Sequence, residues 1–179
     1  MDALKTLKEY FGYSSFRNGQ KKTVQAILSG KDVIAIMPTG AGKSICYQLP
    51  AVMSEGITLV ISPLISLMQD QVKALKENGI RAAYINSSLT ESQISKALFL
   101  AKKGTYKIIY VSPERLENFE FISFAQSINI SMITVDEAHC ISQWGQDFRP
   151  SYLNILSFVK KLARRPIISA FTATATSKV

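Results

Sequence analysis

An apolar run at residues 33–36, Val-Ile-Ala-Ile, leads straight into Met37-Pro38-Thr39-Gly40-Ala41-Gly42-Lys43-Ser44, and a helical pattern follows at residues 45–49. A strand, a tight loop of small residues ending Gly-Lys-Ser and a helix is the arrangement that cradles nucleotide phosphates. Thr39, Gly40, Ala41 and Gly42 keep that loop narrow. A Cβ at its glycines would block the approach of an anion to the converging backbone N–H groups. Lys43 then offers a point charge to the β and γ phosphates, and the Ser44 hydroxyl is a ligand for Mg2+. Met37 stands where the general motif has its first glycine.

Such a loop belongs at the carboxyl end of a parallel strand. The rest of the chain agrees, because short apolar runs alternate with amphipathic segments. Residues 33–36, 58–61, 82–85, 108–111, 130–135 and 167–170 read as buried strands. Their near-continuous Val, Ile and Leu suits a parallel sheet covered on both faces. Residues 64–78, 90–103, 119–127 and 152–163 read as helices. In the first, Leu64, Leu67, Met68, Val72 and Leu75 share one face, and Gly79 closes it as a C′ glycine. The fold class is α/β: an open, mostly parallel sheet with helices on both faces and right-handed crossovers. The strand order is not readable.

At 179 residues the chain is expected to form one domain with a sizeable core. No apolar run approaches the roughly 18 residues of a membrane span, and residues 1–5 do not resemble a secretory signal. The expectation is therefore no membrane association. Cys46 and Cys140 have neither disulfide-framework nor zinc spacing, so both are expected to be reduced thiols in a cytosolic protein with no zinc in this domain. Lys plus Arg number 21 against 13 Asp plus Glu, a formal charge of +8. That balance favours a polyanionic partner, although a plainly solvated surface gives the same count.

A second chemical element ends the run at 130–135: Asp136-Glu137-Ala138-His139. An Asp at the mouth of a parallel strand can hold the Mg2+ that Ser44 also touches, and Glu137 can orient or deprotonate an attacking water. Acidic residues capping a following helix are the alternative, and the upstream phosphate loop tips the choice toward catalysis. His139 is the only histidine, which excludes a multi-histidine metal site. Two readings stand for it: a satisfied core residue, or a link from the nucleotide site to the rest of the machine.

Local chemistry also suggests a track for single-stranded nucleic acid. Ile61-Ser62-Pro63 and Val111-Ser112-Pro113 place Ser then Pro between strand and helix. Ser as N-cap with Pro at N1 is a strong helix start, and its N–H groups suit a backbone phosphate. Gln69 and Arg115 stand beside these two starts. Trp144, Phe148 and Arg149 are interleaved with polar residues and glycine, which suits base stacking on a loop, whereas packing in the core is the usual role of such aromatics.

The run from Asp136 to Pro150 resembles the Walker B motif and aromatic-rich loop of RecQ-family DNA helicases. Four further blocks agree in family order: residues 11–20, 37–50, 62–71 and 170–175 resemble the adenine-recognition segment and motifs I, Ia and III. The resemblance covers nearly the whole chain. It implies that residues 1–179 are a first RecA-like motor domain that includes a helical adenine-recognition segment at 1–30. ATP and Mg2+ are the implied cofactors. Single-stranded or duplex DNA and a second RecA-like domain of the same protein are the implied partners, with a monomeric, cytoplasmic and nucleoid-associated bacterial protein expected. Motifs IV to VI and the arginine finger belong to that second domain, so the 179-residue piece is expected to bind ATP weakly and neither to hydrolyse it appreciably nor to unwind DNA, while the full enzyme is implied to unwind duplex DNA 3′ to 5′ in repair and recombination. Gln20 would read the adenine edge, with Tyr13 stacking on the base and Arg17 nearby, while Tyr13 also suits a packing role. Thr172 and Thr174 would couple the nucleotide to DNA. Asn18 and Gln146 depart from the family pattern, which has proline and histidine there. The alternatives are a DEAD or DEAH type RNA helicase and a non-catalytic, nucleotide-gated binding module.

Overall fold

Six strands form a single sheet in the order β1-β6-β5-β2-β4-β3, with every neighbouring pair parallel. They are β1 (Val33–Ile36), β2 (Ile57–Ile61), β3 (Ala82–Ile85), β4 (Ile108–Val111), β5 (Ile130–Val135) and β6 (Ile167–Thr172). The computed structural model describes residues 2–142 and 147–173. The helices are α1 (Ala3–Phe11), α2 (Gln20–Leu28), α3 (Lys43–Met53), α4 (Ile65–Glu77), α5 (Glu91–Lys102), α6 (Phe119–Gln126) and α7 (Asn154–Lys161).

Alternate strand residues feed two cores. Val60, Tyr110, Met132 and Phe171 meet α2, α3 and α4 on one face. Leu59, Ile109, Ile133 and Val135 meet α5, α6 and α7 on the other. All five residues of β2, one of the two central strands, are buried. Each large aliphatic side chain buried there contributes roughly 1.5–3 kcal/mol of transfer free energy. The expected α/β architecture is borne out, and the sheet is parallel throughout. The strands predicted at 33–36, 82–85, 108–111 and 130–135 match β1, β3, β4 and β5 at both ends.

Helix starts are less faithful to expectation. Helix α5 begins behind Thr90, whose side chain accepts from the Gln93 N–H in a capping box. Helix α4, by contrast, does not start at Ser62-Pro63. Its N-cap is Leu64, which makes no side-chain cap bond. The physical reason lies in the sheet: Ser62 continues β2, donating its N–H to Val111 O at 3.1 Å, and is fully buried. Leu64 is 45% exposed, so the buried stripe of α4 is Met68, Val72 and Leu75. Ser112 does sit at an N-cap position with Pro113 following, but it heads only a 3₁₀ turn, Pro113–Glu117, without a side-chain cap bond. Helix α7 starts at Asn154 after a second 3₁₀ turn, Pro150–Leu153, where a single helix from 152 was expected. Gly79 has the left-handed φ of +75° that a C′ residue needs.

Candidate nucleotide site and its connections

The loop after β1 is held from two sides. The Met37 N–H donates to Thr172 O at 3.0 Å, so the end of β6 anchors its first residue. On the far side Gly40 and Gly42 take φ of +81° and +80°, a region that L side chains rarely adopt. Lys43 opens α3 and folds back so that Nζ donates to Met37 O at 3.3 Å. Ser44 follows it in the first turn of that helix, where backbone N–H groups and the helix dipole favour an anion.

The segment between α1 and α2 closes over this loop. Gln20 is 2% exposed, and its amide nitrogen donates to Ala41 O at 3.3 Å and to Gly42 O at 3.1 Å. Its amide oxygen accepts from the Arg17 N–H at 2.8 Å. Arg17 Nη1 donates to Gly40 O at 2.7 Å, and the guanidinium lies 5.9 Å from the centroid of the Tyr13 ring. The amide that the sequence assigns to an adenine edge therefore grips the phosphate loop in this structure. Tyr13 is half exposed beside it, with its ring open to a stacking partner.

Asp136 leaves β5 at the same edge of the sheet. It is 7% exposed, and burial together with the Glu137 charge pushes its carboxyl up to about 6, partly offset by Lys43. Three groups fix it: its N–H donates to Ile61 O at 2.9 Å, its Oδ1 accepts from the Glu137 N–H at 3.0 Å, and its carbonyl accepts from the Tyr152 hydroxyl at 2.9 Å. Glu137 has φ of +50°, the one positive φ at a non-glycine among the described residues. The backbone thus turns sharply between the two carboxylates, and Glu137 leads into the 3₁₀ turn Ala138–Ile141. His139 Nδ1 is 2.9 Å from Thr172 Oγ1 and 3.3 Å from Glu137 Oε2, and its Nε2 is 3.7 Å from Asp147 Oδ2.

The third group of candidates is divided. Ser62 and Ser112 are both buried, and their N–H groups donate to Val111 O and Ile85 O. The sheet thus takes the N–H groups of these two serines themselves, so donors for a phosphate at these starts would have to come from the residues that follow. Pro63 contributes its carbonyl instead, accepting from Arg149 Nη1 at 3.4 Å, while the Arg149 N–H donates to Cys140 O at 2.9 Å. Arg149 therefore ties the loop after Asp136 to the start of α4. Gln69 is exposed, and Arg115 and Phe148 are half-buried. Trp144 and Thr174 lie outside the described residues, as does Gln146. Sequence reasoning missed Tyr152, which it read as part of a helix. A tyrosine hydroxyl in an apolar helix requires a partner, and that requirement was the available signal.

Comparisons with known proteins bear on the whole arrangement. The sequence model of the family described as DEAD/DEAH box helicase matches residues 17–179. The chain is 55% identical over 174 residues to the ATP-dependent DNA helicase RecQ of Bacillus subtilis (strain 168), covering 97% of this chain and 29% of that protein. It is 50% identical over 173 residues to the ATP-dependent DNA helicase RecQ of Pasteurella multocida (strain Pm70), covering 97% of this chain and 27% of that one. The chain thus spans less than a third of the length of these relatives. Among solved structures, a hypothetical ATP-dependent RNA helicase from Sulfolobus tokodaii superposes with a TM-score of 0.76 at 20% identity, over 98% of this chain and 51% of that one. That likeness concerns the fold.

Proposed function

The chain belongs to the DEAD/DEAH box helicase family, and from that premise we propose that it is the nucleotide-binding motor domain of a RecQ-like, ATP-dependent DNA helicase. The carrying observation is that Thr172, at the end of β6, contacts both halves of the site. Its carbonyl anchors the phosphate loop at Met37, and its hydroxyl meets His139 beside the acidic pair.

In this reading the loop from Thr39 to Ser44 holds the phosphates, with Lys43 turning from Met37 O to the anion. The adenine edge competes with the Ala41 and Gly42 carbonyls for the Gln20 amide, and Tyr13 stacks on the base with Arg17 behind it. The residues present suit Mg2+: a hydroxyl on Ser44 and a buried carboxyl on Asp136, both hard oxygen donors, the second with its charge only partly compensated. Bound there, the ion would neutralise charge on the β and γ phosphates. Glu137 takes a proton from the water that attacks the γ phosphorus, as the bond to the bridging oxygen of the diphosphate leaving group breaks.

A second RecA-like domain of the same protein completes the site with an arginine, a contribution of about 10³–10⁵ in rate in comparable enzymes. DNA is held along Gln69, Arg115 and the loop carrying Trp144, Phe148 and Arg149, mainly through phosphates and stacking rather than base readout. The deciding experiment measures ATP turnover with single-stranded DNA and with RNA, on the protein extended through that second domain. Strong stimulation by DNA alone is expected. Stimulation by RNA alone overturns the DNA assignment, and failure to bind nucleotide overturns the reading as a whole.

A further inference from the structure

Helix α3, which opens with the phosphate-binding residues, is joined to α4 by four polar side chains inside an otherwise apolar core. The Tyr47 and Tyr110 hydroxyls are 3.3 Å apart, with either able to donate. Gln48 Nε2 donates one hydrogen to the Tyr110 hydroxyl at 2.9 Å and the other to Gln71 Oε1 at 2.8 Å. Tyr47 and Tyr110 are each 1% exposed and Gln48 5%. At the nucleotide end, Ser44 precedes Tyr47 by three residues on the same helix, and the Asp136 charge acts on both phenols. Burial keeps the two phenols un-ionised, with Tyr110 pushed up to about 12. They therefore act as hydroxyls, able to both donate and accept.

We propose that Tyr47, Tyr110, Gln48 and Gln71 form a positioning relay that transmits occupancy of the nucleotide site to helix α4. The inference rests on the nucleotide-binding reading above and deepens it. Polar groups this deeply buried are costly to leave unpaired, so a shift of α3 carries its partners along or breaks the chain. The elements it joins are pointed. One end is the first turn of α3, which carries Lys43 and Ser44. The other is α4, which follows Pro63, the acceptor for Arg149, and exposes Gln69. Tyr110 lies on β4, the strand that leads to Arg115. Three segments suited to the proposed DNA track are thus tied to one phosphate-binding helix through a single set of hydrogen bonds. Tyr47, Gln48 and Tyr110 are buried, and Gln71 is half-buried at the outer end.

Hydrogen–deuterium exchange of this chain, with and without saturating Mg2+ and the non-hydrolysable analogue adenylyl imidodiphosphate, tests the relay. In the wild-type chain the nucleotide is expected to slow exchange about fivefold or more at residues 65–77 as well as at the phosphate loop. Tyr110→Phe, which keeps the ring and removes only the hydroxyl, and Gln71→Ala, at the outer end, should each keep the slowing at the loop and lose it at 65–77. Thermal midpoints measured beside them separate this from loss of fold, since a merely structural role would not erase a nucleotide-dependent difference. Equal slowing of α4 in wild type and both variants overturns the relay and leaves the nucleotide reading intact. So does a wild-type chain that binds the analogue with no change in α4. A wild-type chain that does not bind the analogue overturns the nucleotide reading, and the relay with it.

Discussion

One nitrogen of His139 serves two partners: Nδ1 lies 2.9 Å from the Thr172 hydroxyl and 3.3 Å from a Glu137 carboxylate oxygen. The imidazole therefore couples the orientation of the residue proposed to accept a proton to the end of β6. Thr172→Ala removes the hydroxyl and leaves Glu137 as the partner of His139 Nδ1, with Asp147 still beside Nε2. Nucleotide affinity is expected to stay within about twofold, while DNA-stimulated turnover falls about 10- to 100-fold through misplacement of the base. Steady-state kinetics with and without single-stranded DNA, on a protein containing both motor domains, provide the check. An equal loss of basal and stimulated rates would count against the coupling role.

Asp136 trades stability for function. Its carboxyl in the folded protein titrates near 6, above the ordinary value of 3.8, so the folded state holds the proton more tightly than the unfolded chain. Stability from this group is greatest below the unfolded value and is lost as pH rises through about 6. The ceiling on that loss is about 3 kcal/mol for a shift of roughly two units. Asp136→Asn keeps an oxygen for the Glu137 N–H and never ionises. It should raise the thermal midpoint at pH 8 by on the order of 5 °C, flatten the fall between pH 5 and 8, and abolish Mg2+-dependent nucleotide binding. Melting curves across that range, set beside titrations with nucleotide, test both halves.

Gly42 is required twice over. Its φ of +80° disfavours any side chain, and a Cβ there would come within 2.4 Å of the Gln20 amide nitrogen. Gly42→Ala should destabilise the chain by about 1–2 kcal/mol for the backbone alone and abolish nucleotide binding. Adding Gln20→Ala removes the collision and leaves the backbone cost. The double variant is accordingly expected to recover part of the stability and none of the binding, as read by thermal melts and fluorescent-nucleotide titration.

Tyr152 donates to the backbone carbonyl of Asp136 from a fully buried position. Tyr152→Phe leaves that carbonyl without this donor while preserving the ring, at an expected cost of about 1–3 kcal/mol. A denaturant midpoint unchanged from wild type would show that the bond contributes nothing.

The sequence made four of the strands legible to the residue, for β3, β4 and β5 because in a doubly covered parallel sheet an apolar run and a strand are the same object; β1 carries the same apolar run although Ile34 and Ile36 are exposed. The phosphate loop was equally plain, since its glycines and its terminal Lys-Ser are contiguous. What stayed hidden depends on contacts across long stretches of chain. Ser62-Pro63 has the local signature of a helix start, yet β4 claims the Ser62 N–H, and a pairing between residues 62 and 111 leaves no local trace. The bonds that join Tyr47 and Gln48 to Tyr110 also leave no local trace, because that partner lies more than sixty positions away. The grip of Gln20 on Ala41 and Gly42 follows from the approach of α2 to the loop, which no spacing encodes.

Placing β1 at the rim of the sheet has a consequence for how the molecule is made. Its strand partner is β6, with Val33 opposite Ser169 and Ile36 opposite Thr172. The phosphate loop therefore hangs from a strand that has no neighbour until the residues around 170 have been synthesised. Pairings between segments so far apart are slow to form, because the entropy of closing the intervening chain is lost before the contacts reward it. On a ribosome, β2 and β4 can pair while β1 still waits, and a nascent chain carrying the complete Gly-Lys-Ser signature has no rigid cradle to offer a nucleotide. In the proposed reading, competence for ATP arrives with β6, which makes nucleotide binding a report on the completion of this sheet.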